Sequence, residues 1–110
     1  MSEQKDFIKG SGNIFTDLGV KDAQMELAKA ELAYAIRSQI RMRKLTQQQA
    51  ASLLETDQAK VSAVMNGKVS GYTYDRLVHY LNKLNCDVTL VVTPSETVST
   101  GKVRVETATR

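Results

Sequence analysis

The fold is decided by the stretch Thr46-QQQAASLLETDQAKVSAVMNG-Lys68, which reads as two short helices joined by a tight turn. Thr46 and Gln49 form a capping box, because each side chain can bond to the other residue's backbone N–H, and this predicts where the first helix begins. The turn is Glu55-Thr56-Asp57, and either Thr56 or Asp57 is expected to cap the second helix. The pattern therefore predicts a helix-turn-helix.

The apolar residues of this stretch fall on one side of each predicted helix. In the first helix they are Ala50, Ala51 and Leu54, and in the second they are Val61, Val64 and Met65. Gln58, Ala59, Ser62 and Ala63 then face away from the core, and Asn66-Gly67 ends the helix because glycine readily takes a left-handed conformation. Small residues at 50 and 51 allow another helix to cross closely.

A helix with short polar side chains on its outer face is suited to the major groove of DNA. Gln58 can pair with adenine, Ala59 and Ala63 can contact a thymine methyl group, and Lys60 can reach a guanine or a phosphate. Gln47 would lie near a phosphate at the positive end of its helix. The predicted DNA-binding residues are Thr46, Gln47, Gln58, Ala59, Lys60, Ser62, Ala63, Asn66 and Lys68. The alternative is an ordinary pair of packed helices in a small bundle.

The distribution of charge along the chain indicates DNA binding more strongly than the net charge of +3 does. Residues 35–68 hold six Lys/Arg and two Asp/Glu, whereas residues 1–34 hold four and six. The positive excess therefore lies on the two-helix stretch and on the segment that leads into it. Such a patch is typical of a protein that binds a phosphate backbone, although a solvated charged face would look the same.

Outside this stretch the sequence predicts two more helical regions. From Ala23 to Arg43 there is no Gly or Pro, and Leu32, Ile36 and Ile40 make one apolar stripe that Met25 and Ala28 or Lys29 extend backwards. Asp22 is the expected N-cap, and the region is either one helix or two. Thr73 is expected to cap a further helix, Tyr74 to Asn85, whose apolar face is Leu77, Val78, Leu81 and Leu84.

The segment from Cys86 to Thr93 alternates with period two, which predicts a short strand that Pro94 ends. Residues 1–21 are interrupted by glycines and read as irregular, either a loop on the helical body or a segment that docks a protein partner. The tail, 94–110, is either frayed or forms a weak second strand at 102–107. We therefore expect an all-α domain of four to five helices with a short C-terminal β-strand, over residues 22–93.

Enzymatic chemistry is not expected from this sequence. His79 is the only histidine and Cys86 the only cysteine, and they are seven residues apart across a helix–strand junction, which is no signature of a catalytic pair. One cysteine also excludes a Cys-based zinc site, and we expect no metal and no cofactor. The first residues lack the apolar core of a signal peptide, and no stretch approaches the roughly 18 apolar residues of a membrane span. The expected location is the cytoplasm.

Residues 35–81 resemble the helix-turn-helix domain of the lambdoid phage repressor class, or Xre type. The residues that carry this resemblance are Leu45-Thr46-Gln47, Ala50-Ala51, Leu54, Gln58, Val61-Ser62 and Asn66-Gly67-Lys68. A narrower resemblance, to the HigA-like antitoxins, rests on residues 11–19, 28–32, 57–62 and 71–77. Two departures stand out: Glu55 replaces the glycine that is usual in the turn, and Ala59 replaces a second polar base reader.

The narrower resemblance implies an antitoxin that binds DNA, neutralises an mRNA interferase toxin of the RelE superfamily and represses its own operon. The alternatives are a stand-alone Xre-type regulator without a toxin, and a protein-interaction module that has lost DNA binding. One helix-turn-helix reads only half a site, so we expect a two-fold homodimer on a palindromic operator. Val88, Leu90 and Val92 are the candidate dimer interface, because pairing between two copies would satisfy the exposed strand edge.

Overall fold

The computed structural model describes residues 22–96 and 101–108, with side chains from residue 26 onwards. The described part contains four helices: α1 (Asp22–Met42), α2 (Gln47–Leu54), α3 (Gln58–Met65) and α4 (Tyr74–Lys83). This confirms the all-α prediction and answers the question about the first region, which is one helix. Asp22, the expected N-cap, is already helical. The predicted irregular segment 1–21 lies outside the described residues.

The short helices begin at the caps that the sequence predicts. Thr46 forms the full capping box with Gln49, through bonds of 3.0 and 2.9 Å. Asp57, rather than Thr56, caps α3, and Thr73 caps α4 by accepting the N–H of Arg76 at 3.1 Å. Each cap satisfies a backbone N–H that has no partner inside its helix, so all three helix starts are fixed by local hydrogen bonds.

A left-handed residue follows or ends each of the four described helices. These residues are Lys44, Glu55, Gly67 and Asn85, with φ angles of 57°, 60°, 74° and 64°. Only Gly67 takes this conformation without steric cost, because it has no Cβ. Glu55 therefore makes the turn of the helix-turn-helix in the conformation that glycine would favour, at a position where most side chains are strained.

The core lies where the four helices meet, and α1 crosses both α3 and α4. Its largest fully buried side chains are Ile36, Ile40, Leu77, Leu84 and Val61. The predicted inner face of α2 is buried as expected: Ala50, Ala51 and Leu54. In α4 the prediction was partly wrong, because Val78 is only half-buried while Tyr74 and Tyr80 are buried.

The apolar stripe predicted on α1 extends towards the N-terminus through both Ala28 and Lys29, which the sequence left as alternatives. Ala28 is fully buried and Lys29 is only 8% exposed. The ammonium of Lys29 lies 4.0 Å from the carboxylate of Glu26 and 5.8 Å from the centre of the Tyr74 ring. A buried cation needs such partners. Lys29 therefore joins the N-terminal half of α1 to α4.

The predicted C-terminal strand is not observed in the described part of the chain. No segment of the described residues pairs with 88–92 in a β-ladder, so the backbone there is extended but has no partner. Val88 is half-buried and packs against the core, whereas Leu90, Val91 and Val92 are 87%, 79% and 93% exposed. The physical reason is that a strand needs another strand for its backbone hydrogen bonds, and residues 22–96 and 101–108 supply none.

Part of the tail returns to the helical body. Val105 packs against the core cluster, and its backbone N–H donates to the Glu31 carboxylate on α1 at 3.2 Å. Residues 101–108 form no strand, so the weak second strand expected at 102–107 is not observed. The boundaries at 21/22 and 93/94 remain predictions.

Candidate nucleic-acid interface

The outer face of α3 holds the predicted base readers together. Gln58 and Ala59 are exposed, and Ser62 and Ala63 are half-buried beside them. Val61 and Val64, which are 1% and 2% exposed, anchor the opposite side of the helix in the core. An eight-residue helix held by such anchors presents its outer side chains in one fixed direction, as entry into a major groove requires.

The beginning of α2 carries two further predicted contacts, of which Thr46 is exposed. Gln47 is half-buried, and the Oγ1 of Thr46 already accepts the Gln49 N–H in the capping box. The hydroxyl proton of Thr46 is still available, since a hydroxyl can accept and donate at once. Thr46 can therefore donate to a phosphate oxygen without giving up the cap.

The far end of α3 carries the remaining predicted contacts. Asn66 and Lys68 are both exposed, and the Asn66 amide donates weakly to the Ser62 hydroxyl at 3.5 Å. Gly67 lies between them in the left-handed conformation, which turns the chain away from the helix axis. Lys68 has no described carboxylate within ion-pair distance, so its charge is available to a phosphate.

Further cations without a described carboxylate partner lie at the C-terminal end of α1. They are Arg37, Arg41 and Lys44. Arg37 lines a shallow groove together with Asn66 and Gly67, which brings the predicted basic segment of α1 next to the end of α3. Arg43 also has no described carboxylate partner, but its guanidinium is already bonded within the protein, because it donates to the backbone carbonyl of Leu84. Among the described residues, the fold thus brings Arg37 close to the C-terminal end of α3, where Lys68 also lies.

Lys60 differs from these cations because it forms an ion pair with Asp57. The sequence did not predict this ion pair. Its ammonium donates to Asp57 Oδ2 at 2.9 Å and its backbone N–H donates to Asp57 Oδ1 at 2.8 Å. The hydrogen bond to Asp57 raises the pKa of Lys60, and the hydrogen bond to Lys60 lowers the pKa of Asp57. From the other side, the Tyr72 hydroxyl donates to the Lys60 carbonyl at 3.2 Å. The i, i+3 spacing of Asp57 and Lys60 in the sequence could have predicted this ion pair.

The description "Helix-turn-helix domain" belongs to a family model that matches residues 14–93 of this chain. The chain belongs to the helix-turn-helix family. A solved structure named "Putative XRE Family Transcriptional Regulator" shares 34% sequence identity with it and superposes with a TM-score of 0.70, covering 82% of this chain and 100% of the other. Among curated proteins, none matches. XRE-type helix-turn-helix regulators bind DNA and regulate transcription, which confirms the general function that the sequence predicted.

Helix-turn-helix regulators are typically not enzymes, in agreement with the sequence. His79 is exposed on α4, and Cys86 is half-buried against the core. Within residues 22–96 and 101–108, no three His, Cys, Asp or Glu side chains lie close enough together to hold a metal ion. None of the helices described is both long and apolar enough to cross a membrane.

Proposed function

We propose that this helix-turn-helix protein is the antitoxin of a type II toxin–antitoxin pair, and that it represses its own operon by binding a palindromic operator as a homodimer. The observation that carries the DNA-binding part is the outer face of α3. Gln58 and Ala59 are exposed there on a helix whose other side is anchored in the core, with Arg37 and Lys68 near its C-terminal end.

The proposed contacts divide into base readers and phosphate contacts. Gln58, Ala59, Ser62 and Ala63 are the proposed readers on α3. Thr46, Gln47, Asn66 and Lys68 are proposed to contact the backbone at the two ends of the motif, where hydroxyl, amide and ammonium donors face outwards. Lys60 was expected to reach a guanine or a phosphate, and its bonds to Asp57 must open before it can do either.

The proposed dimer follows from the geometry of DNA. Two half-sites of a palindrome lie about 34 Å apart, so two copies of α3 must be held in a two-fold arrangement. Leu90, Val91 and Val92 expose apolar side chains next to unpaired backbone, and antiparallel pairing with a second copy would cover both. Val88, Leu90 and Val92 remain the proposed interface.

The antitoxin assignment rests on the HigA-like sequence pattern and is supported by a second exposed apolar surface. Leu27 and Tyr34 on α1 are 61% and 66% exposed, and their spacing of seven residues places them on the same side of the helix. Large apolar side chains on one face of a surface helix fit a protein partner. We propose this face of α1 as the contact for a toxin of the RelE superfamily.

Two experiments separate this proposal from its alternatives. Fluorescence anisotropy with a duplex from the chain's own promoter tests DNA binding, for which we expect a steep decrease of log affinity with log salt. Co-expression with the product of the adjacent gene, followed by purification of one tagged partner, tests the toxin. DNA binding without a co-purified partner would favour a stand-alone regulator, and a partner without DNA binding would favour a protein-interaction module.

A further inference from the structure

The beginning of α3 carries a charged pair whose role the proposed base contacts leave open. The backbone N–H and the ammonium of Lys60 both bond to the Asp57 carboxylate, and the carbonyl of Lys60 accepts the Tyr72 hydroxyl. Both charged side chains are about half exposed, at 49% for Lys60 and 58% for Asp57. The pair therefore lies at the surface, at the end of the helix that would enter the groove.

The position of Lys60 around the helix indicates what its ammonium would reach if it were free. Successive residues are about 100° apart on an α-helix, so Lys60 lies on the flank between the exposed Ala59 and the buried Val64. The bond from Tyr72 shows that this flank faces the loop after α3. When a helix lies in the major groove, its centre faces the base edges and its flanks face the phosphate backbones.

We propose that Asp57 is a specificity-determining residue, which holds the Lys60 ammonium away from the phosphate backbone and so limits binding to DNA of arbitrary sequence. This inference rests on the proposed DNA-binding function. Phosphate contacts give affinity without regard to sequence, and the Asp57–Lys60 pair adds no net charge at the beginning of α3. Binding there depends on the neutral side chains of Gln58 and Ala59, whose contacts differ from one base pair to another.

Asp57→Asn tests the proposal, because asparagine is as good an N-cap as aspartate but has no charge. Affinity is measured by anisotropy for the promoter duplex and for a scrambled duplex of the same composition, from 0.1 to 0.4 M KCl. For the scrambled duplex at 0.1 M we expect roughly five- to tenfold tighter binding and a log–log slope steeper by about 0.9. The promoter duplex should gain less, because base contacts fix its register while the scrambled complex can shift to make the new contact.

Lys60→Met is made in the wild-type protein and in Asp57→Asn. The comparison distinguishes a phosphate contact by the released Lys60 ammonium from an effect that comes only from removing the Asp57 carboxylate. With Asp57 in place, the substitution removes no phosphate contact and should flatten the slope for scrambled DNA by less than it does in the Asp57→Asn background. In the Asp57→Asn background it should flatten the slope by about 0.9. Equal flattening in both backgrounds would overturn the proposal, since Lys60 would then contact phosphate in spite of Asp57. Unchanged affinity of Asp57→Asn for the scrambled duplex would overturn it as well.

The same measurements test the proposed function separately from the role of Asp57. If the wild-type protein binds the promoter duplex no better than the scrambled one, sequence-specific repression fails, while the effect of Asp57 is still measured on the scrambled duplex. Circular dichroism and thermal melting check that each variant is folded. If Asp57→Asn does not fold, Asp57→Ser replaces it, because serine also caps a helix without charge.

Discussion

Glu55 is one of three described non-glycine residues with a left-handed backbone conformation, and it lies in the turn of the helix-turn-helix. It makes the turn at φ 60° and ψ 44°, and its carboxylate lies 3.3 Å from the Lys83 ammonium. Glycine takes this left-handed conformation more readily than any residue with a Cβ, by about 1 kcal/mol. The sequence had marked Glu55 as a departure from the glycine usual in this class, and the structure keeps the left-handed turn nevertheless.

We predict that Glu55→Gly unfolds with a free energy about 1 kcal/mol higher than Glu55→Ala. Both variants lose the ion pair with Lys83, so their difference isolates the backbone strain at this position. Urea unfolding measures the free energies, and the melting temperatures should differ by about 4–8 °C. Equal stability of the two variants would mean that the turn relaxes when the side chain is removed.

Gln58 and Lys68 are predicted to have different roles, although both are exposed and both belong to the proposed DNA surface. Gln58 lies on the outer face of α3, where an amide can pair with one base. Lys68 follows the end of α3 and has no carboxylate partner among the described residues, which suits a phosphate contact. A reader and a phosphate contact can be told apart by what their removal does to sequence preference and to salt dependence.

We therefore expect Gln58→Ala to lose roughly 1–3 kcal/mol of discrimination at one operator position and to leave the salt dependence unchanged. Lys68→Met should weaken binding to all sequences and flatten the log–log slope by about one unit or less. The measurement is anisotropy with a set of single-base operator variants at several salt concentrations. Gln58 would lose its assigned role if its variant weakened every duplex by the same factor.

Among the elements, α2 depends most clearly on its first residues. The capping box of Thr46 and Gln49 satisfies two backbone N–H groups, and α2 is only eight residues long. A helix of this length is marginal without packing and caps. We predict that Thr46→Ala lowers the free energy of unfolding by about 1 kcal/mol, whereas Thr46→Ser, which keeps the hydroxyl, changes it little. Denaturant titration checks this, and equal loss in both variants would point to the threonine methyl group instead.

The helices were predictable from the sequence because their caps and apolar stripes depend on residues a few positions apart. Thr46, Asp57 and Thr73 begin helices where their side chains meet nearby N–H groups. The Asp57–Lys60 ion pair was also local, but was missed because Lys60 was considered only as a contact for DNA. The face of α4 was partly mistaken because tyrosines, with polar tips, were not counted as core.

What the sequence could not predict depends on distant or absent partners. The bond from Val105 to Glu31 joins residues 74 positions apart, and no local pattern encodes it. The strand at 88–92 was predicted from real alternation, but alternation shows only that a segment suits a sheet and does not supply the neighbouring strand. The same holds for the proposed DNA contacts. Exposure and charge identify a surface suited to DNA, but they do not predict the base sequence of the operator.

At the scale of the whole molecule, two groups of exposed apolar side chains among the described residues have been assigned to partners, and Met42, Leu53 and Val103 are exposed as well. Leu90, Val91 and Val92 lie in the extended segment after α4, whereas Leu27 and Tyr34 lie on α1. We have proposed the first surface for a second copy of the chain and the second for a toxin. A substitution in one surface should therefore leave the function of the other intact, which allows the two assignments to be tested against each other.

We predict that Leu90→Asp converts the proposed dimer into a monomer and weakens operator binding, while Leu27→Asp leaves both unchanged. A carboxylate at position 90 would repel its counterpart in a two-fold pair and would need to be buried with it. A monomer holds only one α3, so it loses the second half-site and the affinity gained by linking the two. Sedimentation velocity gives the oligomeric state and anisotropy gives the affinity. Because residue 90 is 87% exposed, the substitution should not affect the fold of one chain, and a Leu90→Asp protein that still sediments as a dimer would show that the two copies meet elsewhere.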